Sequence, residues 1–267
     1  MLCGKSRRIS GNLPYLPFNA KPMKVRAILV FVWMGWGFGC MPPAKPFQVS
    51  HQSIAVKAAA DTAVQNLVQP YSLALRQKME KVIAYANVPL YRKQPESVLG
   101  QFMLRAMAWK ASQLFDVPFD VVIMNAEGIR ADLPRGNITV GNVYETMPFD
   151  NVLVLQKIPG TVLDSLVQFM ASKGGWPVDG LNYTLKNRRA EKVLVKGQPI
   201  DPAKSYVLLL SDYLANGGDN VAVLKSWPQQ NKGFPLRDAL MEYALFQTAA
   251  GMTLDLPLEI RIKKELP

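Results

Sequence analysis

The sequence is poor in the side chains that most often bind transition metals and form disulfides. Its 267 residues include one histidine, His51, and two cysteines, Cys3 and Cys40. A two-metal hydrolytic site draws on several histidines and carboxylates, and a disulfide scaffold draws on more cysteine pairs than this. We therefore expect no metal site and no disulfide framework in this chain. His51 is interpreted as a solvated loop residue.

Acidic residues are missing from residues 1–39, which carry six lysines and arginines. Without that segment, 25 basic residues face 20 acidic ones, a balance that is ordinary for a folded domain. The formal net charge of +11 is therefore concentrated at the start of the chain and does not indicate a nucleic-acid-binding surface. We expect no nucleic-acid partner.

The apolar run that follows Arg26, AILVFVWMGWGFG, is thirteen residues long and too short to span a bilayer. A basic segment, a short apolar run and small residues before Cys40 describe a secretory signal. The cysteine directly after Gly39 resembles a bacterial lipoprotein signal, although Gly37 stands where an aliphatic residue is usual. We predict that residues 1–40 are an export signal and that Cys40 is lipidated. The protein would then be anchored in the cell envelope, on the periplasmic or the outer surface.

Two interpretations of the first residues stay open. Met23 is a natural start, so residues 1–22 are either an over-extended beginning or a long basic segment of the signal. The alternative for Cys40 is an unmodified cysteine buried in a retained helix.

Residues 41–70 begin with prolines and show little periodicity, which predicts a tether to a folded domain at 71–267. Within that domain, helical apolar spacing alternates at first with β-branched runs, and the later runs cluster. Predicted helices cover 71–88, 95–115, 160–173 and 236–250, and predicted strands cover 121–124, 151–158, 183–187, 191–196, 206–211 and 258–263. This pattern predicts an α+β fold.

The stretch 125–151, NAEGIRADLPRGNITVGNVYETMPFDN, follows the β-branched run VVIM. Gly128 allows a tight backbone path that leads to Arg130, and Pro148 sets Phe149 at the start of an extended segment. An arginine and an aromatic ring thus lie on successive loops, where sites are common. Taken singly, they are better explained as a surface arginine and a core phenylalanine.

The series NAEGIR, ITVGNVYETMPFDN and SDYLANGGDN at 211–220 resembles, in order and spacing, the C-terminal domain of the 5'-nucleotidase family. The resemblance runs from about Tyr71 to Lys264. It implies a four-layer α/β/β/α arrangement and a role in binding substrate. In that family, hydrolysis belongs to a separate N-terminal metallophosphoesterase domain that holds two divalent metal ions.

The resemblance also implies a nucleoside site. Phe149 and Tyr213 occupy positions where the family sandwiches the base between two rings, and Asp219 is suited to accept hydrogen bonds from the ribose diol. Arg130 matches an arginine that contacts phosphate or ribose oxygens. Asn125 can both donate to and accept from a base edge.

Two further residues complete the predicted substrate-binding set, and several depart from the family pattern. Lys93 falls where a second arginine is usual, and it keeps the charge but not the planar fork. Gly174 follows a predicted helix. Glu127 stands where a glycine is typical and could neutralise Arg130. Further departures are Ala126, Arg105 and Asn220.

The retained nucleoside motifs and the shortage of metal ligands suggest a split 5'-nucleotidase. In this hypothesis the chain recognises nucleotide and a separate metallophosphoesterase chain, with two divalent metal ions, hydrolyses it. The chain itself would need no cofactor and would not hydrolyse phosphate esters alone. The alternative is a stand-alone envelope lipoprotein that binds nucleosides or related small ligands without catalysis. A third possibility is a structural lipoprotein whose pocket has lost its function.

Overall fold

The computed structural model describes residues 61–265. The predicted signal, Cys40, His51 and the first part of the predicted tether lie outside the described residues. The helices are α1 (Thr62–Met79), α2 (Val98–Leu114), α3 (Val140–Thr146), α4 (Gly160–Ser172), α5 (Asp212–Ala215) and α6 (Leu236–Ala249). The strands are β1 (Val82–Ala86), β2 (Val121–Ile123), β3 (Gly136–Thr139), β4 (Val152–Pro159), β5 (Val178–Asp179), β6 (Leu181–Lys186), β7 (Arg189–Val195), β8 (Gln198–Pro199), β9 (Ser205–Ser211), β10 (Gln229–Pro235) and β11 (Ile262–Lys264).

Helix α1 begins at a side-chain cap, because the Asp61 carboxylate accepts hydrogen bonds from the Ala63 and Val64 amides at 2.8 and 3.3 Å. None of its residues is buried. The boundary that the sequence predicts between tether and domain, at residue 70, falls inside this helix. Among the described residues, no helix is long and apolar enough to cross a membrane.

The predicted helix over 71–88 is wrong in its second half. The helix ends at Met79, and Val82–Ala86 forms a strand that pairs antiparallel with β3. Ile83, Ala84 and Ala86 are buried in this strand. Pairing with a distant segment and burial against the core outweigh the local helical period here.

The central sheet has five strands in the order β10-β4-β9-β2-β5, and a second sheet has four in the order β11-β6-β7-β8. Successive side chains of a strand point to opposite faces of the sheet, so the segment that contains β2 contributes to two separate hydrophobic cores. Val122 and Met124 pack with α2 and α6 on one face of the central sheet. Val121 and Ile123 pack on the other face with α4 and the second sheet. The predicted α+β class is confirmed.

The predicted final strand, LEIRIK, is shorter than expected, because only its end pairs with β6. Upstream, the backbone finds side-chain partners instead of a neighbouring strand. The Glu259 amide donates to Gln101 at 3.0 Å, and the Arg261 amide donates to the Glu96 carboxylate at 3.0 Å. Burial raises the pKa of that Glu96 carboxyl.

The central sheet brings three loops to one edge. Strands β2 and β9 run parallel, so the segments that follow Ile123 and Ser211 leave the sheet at the same edge. Strand β4 is antiparallel to β9, with Leu153 opposite Ser211, so the segment that leads into β4 also lies there. These three segments are 124–130, 147–151 and 212–221, and they carry most of the predicted site residues.

Candidate functional site

Five of the seven predicted substrate-binding residues line one cleft of about 450 Å³ at this sheet edge. They are Asn125, Arg130, Phe149, Tyr213 and Asp219. The remaining lining residues are Glu127, Gly128 and Asn151. Three loops that are distant in sequence thus supply an amide, a guanidinium, two rings and a carboxylate to one cavity.

The acid, the amide and one ring form a hydrogen-bonded unit. The Asn125 Nδ2 donates to Asp219 Oδ2 at 2.7 Å, and the Tyr213 hydroxyl donates to Asp219 Oδ1 at 2.8 Å. The Asp219 amide donates in turn to the Tyr213 oxygen at 3.1 Å. Asn125 is buried, so its side chain is fixed before a ligand arrives. The hydrogen bond to Asp219 raises the pKa of the Tyr213 phenol.

The backbone around Asp219 takes a shape that few residues tolerate. Gly217 has φ +86°, and Asp219 and Asn220 follow at φ 52° and 66°. Asp and Asn are the side chains that enter this left-handed region most readily. Gly218 lies beneath the Tyr213 ring, since a Cβ there would come within 2.5 Å of ring carbons. The GGDN motif therefore seats both the carboxylate and the ring.

Both rings remain available to a ligand. Phe149 is 39% exposed and Tyr213 is 42% exposed, although most other large apolar side chains of the sheet and its loops are buried. The interpretation of Phe149 as a core phenylalanine is wrong. It lies on the loop before β4, where the Phe149 carbonyl accepts a hydrogen bond from Arg237.

Arg130 lies beside Phe149, with its guanidinium carbon 5.9 Å from the ring centroid. Its amide donates to the Thr146 carbonyl at 2.8 Å, which joins its loop to the end of α3. Among residues 61–265, the guanidinium reaches only the backbone carbonyl of Glu127, at 3.5 Å, a long distance for a hydrogen bond. None of the salt bridges within residues 61–265 includes Arg130 or Glu127, so ion pairing does not neutralise this arginine there.

Lys93 and Gly174 do not join the other five predicted residues. Lys93 lines a neighbouring cleft of about 540 Å³ that shares Glu127 with the first. Gly174 lies just after the end of α4 with φ +96°, and a Cβ added there would lie 3.4 Å from the Gln94 side chain. The other residues of the second cleft are Arg92, Gln94, Ala126, Ile129 and Pro177.

Sequence reasoning missed three residues that hold the loops in place. Arg237, from α6, bonds the backbone of the Phe149 loop. Asp212 accepts from the amides of Val152 and Tyr213, both at 2.9 Å, and so links two of the loops. Arg92 donates to the Arg130 carbonyl at 2.8 Å. Their sequence positions carry no signal for these contacts, apart from the place of Asp212 inside the SDYLANGGDN motif.

The sequence model of the family described as "5'-nucleotidase, C-terminal domain" matches residues 82–226, more than half of the chain. The chain belongs to this family. Its recognition from the three motifs is therefore confirmed. Within residues 61–265 there is no group of three or more His, Cys, Asp or Glu side chains placed to hold a metal ion.

Two curated relatives illustrate the match. Protein UshA of Escherichia coli is 30% identical over 139 residues, which cover 50% of this chain and 25% of UshA. The NAD 5'-nucleotidase of Haemophilus influenzae is 32% identical over 120 residues, which cover 38% of this chain and 20% of that protein. The chain therefore spans a quarter or less of the length of these two relatives.

A solved structure agrees with the same assignment. The 5'-nucleotidase precursor of Thermus thermophilus aligns with a TM-score of 0.63 at 29% identity, over 78% of this chain and 44% of that one. The predicted 5'-nucleotidase C-terminal fold is confirmed.

Proposed function

We propose that the cleft binds the nucleoside part of a nucleotide, and that this chain contributes substrate recognition to nucleotide hydrolysis. The observation that carries the proposal is that two rings and a carboxylate lie together in one cleft of a protein that belongs to this family. Two half-exposed rings, Phe149 and Tyr213, line one cleft with a carboxylate that is hydrogen-bonded to one of them. Such a cleft fits a flat base, a ribose diol and nearby ligand oxygens.

Each group has a chemical task in this proposal. The base stacks on the exposed rings, and each stack contributes about 1–3 kcal/mol. A carboxylate offers about four lone-pair sites, and internal donors use one on each oxygen of Asp219. The remaining sites can accept the two ribose hydroxyls. Arg130, which has no salt bridge within the described residues, is available for ligand oxygens beside Phe149.

Hydrolysis is assigned to a separate metallophosphoesterase chain with two divalent metal ions. The composition supports this division, because a two-metal site commonly uses several histidines and this chain has one. We further propose export to the cell envelope and lipidation of Cys40, because a basic segment and an apolar run precede this cysteine.

A second candidate is a stand-alone envelope protein that captures nucleosides without catalysis. The observation that favours it is Glu127, which lines both clefts and brings a negative charge to the surroundings of Arg130. A phosphate that approached Arg130 would meet this carboxylate, whereas an uncharged nucleoside would not. The second cleft carries Lys93 where the family usually has an arginine. Lysine lacks the planar fork that suits phosphate, so this difference also favours an uncharged nucleoside.

Calorimetry with adenosine and with AMP, on the full chain, tests the nucleoside binding that both candidate functions require. We expect a Kd between about 1 μM and 1 mM for at least one of them, since only a few groups contact the ligand. Absence of heat with both ligands, at concentrations above that range, would contradict a nucleoside site.

Reconstitution separates the two candidates. A metallophosphoesterase that co-purifies with this chain should hydrolyse AMP faster in its presence, and Phe149→Ala should remove the stimulation. A chain that binds adenosine, recruits no phosphoesterase and changes no hydrolysis rate is the stand-alone binder.

A further inference from the structure

The loop that carries Phe149 is held by one guanidinium from outside the cleft. Arg237, the second residue of α6, donates from Nη1 to the carbonyls of Met147 and Phe149, each at 3.3 Å. Its Nη2 donates to Asp150 at 2.7 Å. Three acceptors within four consecutive residues therefore share one planar group.

This arginine is built into the fold. Its side chain is only 12% exposed, although its partner Asp150 is 91% exposed. The guanidinium lies over the Tyr144 ring, 4.1 Å from its centroid. A planar fork that stacks on a ring and bonds two carbonyls is a role that arginine fills and lysine does not.

Neighbouring contacts extend the restraint towards the second ring. The Leu236 amide donates to the Asn151 carbonyl at 2.8 Å, which ties the start of α6 to the end of the loop. Asp212 then joins the Val152 and Tyr213 amides. The backbones of Phe149 and Tyr213 are thus connected through the start of α6 and the start of α5.

Phe149 needs such a restraint because its own side chain supplies little. The ring is 39% exposed, so packing against the protein fixes it only in part. A stacking ligand requires both rings at set positions, and a ring whose backbone moves loses part of that stacking. Arg237 is absent from the lining of the cleft, so it acts through Phe149.

We propose that Arg237 is a positioning residue, which sets the place of Phe149 opposite the ligand base. The inference rests on the proposed nucleoside site for its effect on affinity. Its effect on the loop does not depend on any ligand. Two measurements on the full chain test the effect on the loop and the effect on affinity separately.

The first measurement is hydrogen exchange of the ligand-free protein. Arg237→Met removes every donor while keeping an unbranched apolar chain, and it should speed exchange in 147–152 but not in 217–221. Arg261→Met is the matched control, because that arginine is 14% exposed and pairs with Asp179 and Glu259 elsewhere in the fold. Unchanged exchange in 147–152, or an equal rise with the control, overturns the proposal.

The second measurement is a double-mutant cycle with adenosine as the probe. Arg237→Met should weaken binding about tenfold when Phe149 is present, and less than about twofold in the Phe149→Ala background. A purely structural role would give equal losses in both backgrounds, and that result overturns the proposal. If Arg237→Met does not fold, Arg237→Lys enters both measurements under the same criteria. Faster loop exchange in Arg237→Met, together with a wild-type protein that binds no nucleoside, would contradict the proposed function and leave the loop restraint standing.

Discussion

The Tyr213 hydroxyl donates a hydrogen bond to the Asp219 carboxylate across 2.8 Å, and the Asp219 amide returns one to the same oxygen. A ring proposed to stack on a base and an acid proposed to bind a ribose are thus one unit. Movement of either group changes the place of the other. The glycine beneath the ring and the left-handed backbone at Asp219 keep the pair together.

This unit predicts a titration. The Tyr213 pKa lies above its ordinary value because the phenol proton is held by Asp219. Loss of the phenol proton breaks the bond, so its stabilisation is present below the ordinary pKa near 10 and disappears as the pH rises through the raised value. Asp219→Asn should move the Tyr213 pKa back towards the ordinary value. NMR of carbon-labelled tyrosine, with Tyr213→Phe to assign the signal, measures it. An unchanged Tyr213 pKa in Asp219→Asn would show that the bond is absent in solution.

The two rings should carry much of the binding. Phe149→Ala and Tyr213→Ala should each weaken adenosine binding at least about tenfold, which corresponds to the loss of about one stack. Both side chains are partly exposed, so the fold should survive. Calorimetry measures the affinity and circular dichroism verifies the fold. Wild-type affinity in a variant that lacks both rings would mean that the base lies elsewhere.

The sequence could predict that these rings lie close together, because each motif directly precedes or follows a strand of one sheet. Parallel pairing of β2 with β9 and antiparallel pairing of β9 with β4 then bring the three loops to one edge. Local patterns could not supply the rest. Val82 pairs with Thr139, and Arg237 donates a hydrogen bond to the Met147 carbonyl. The spacing of apolar residues along the sequence predicts neither contact. Lys93 was assigned to the same site as Arg130, but the turn at 126–128 lies between their clefts.

Glu127 should discriminate between charged and neutral ligands. It lines the cleft beside Arg130 and has no salt-bridge partner within residues 61–265. Removing its charge with Glu127→Gln should strengthen AMP binding about two- to fivefold, the scale of an exposed charge interaction, and leave adenosine binding nearly unchanged. The effect should shrink at high salt. Glu191→Gln, an exposed change on β7, is the control. Equal shifts for AMP and adenosine would contradict an electrostatic role.

Membrane attachment should depend on Cys40. If this cysteine carries a lipid, Cys40→Ser should shift the protein from the membrane fraction to a soluble form that is uncleaved or differently processed. Fractionation and mass spectrometry of the N-terminus measure both properties. A variant that stays on the membrane, together with a mature N-terminus at another residue, would show that the anchor is not this lipid.

Gly218→Ala tests whether the GGDN turn seats the Tyr213 ring. The new methyl group would come within 2.5–2.6 Å of three ring carbons, closer than van der Waals contact allows, so the ring must turn or rise. Because the Tyr213 hydroxyl then leaves Asp219, we expect adenosine affinity to fall at least about tenfold while the fold persists.

The matched control for this change is Gly233→Ala, at a glycine with φ +69° and no atom near the added methyl group. That change costs about 1–2 kcal/mol of backbone strain but touches no residue of the cleft. Thermal denaturation should therefore show a loss of stability for Gly233→Ala without a loss of affinity. Gly218→Ala should show the loss of affinity, together with a Tyr213 pKa nearer its ordinary value, because the hydrogen bond that raises it is broken. If Gly218→Ala binds adenosine as tightly as the wild type, the ring does not need this glycine, and the hydrogen-bonded pair is not what the ligand recognises.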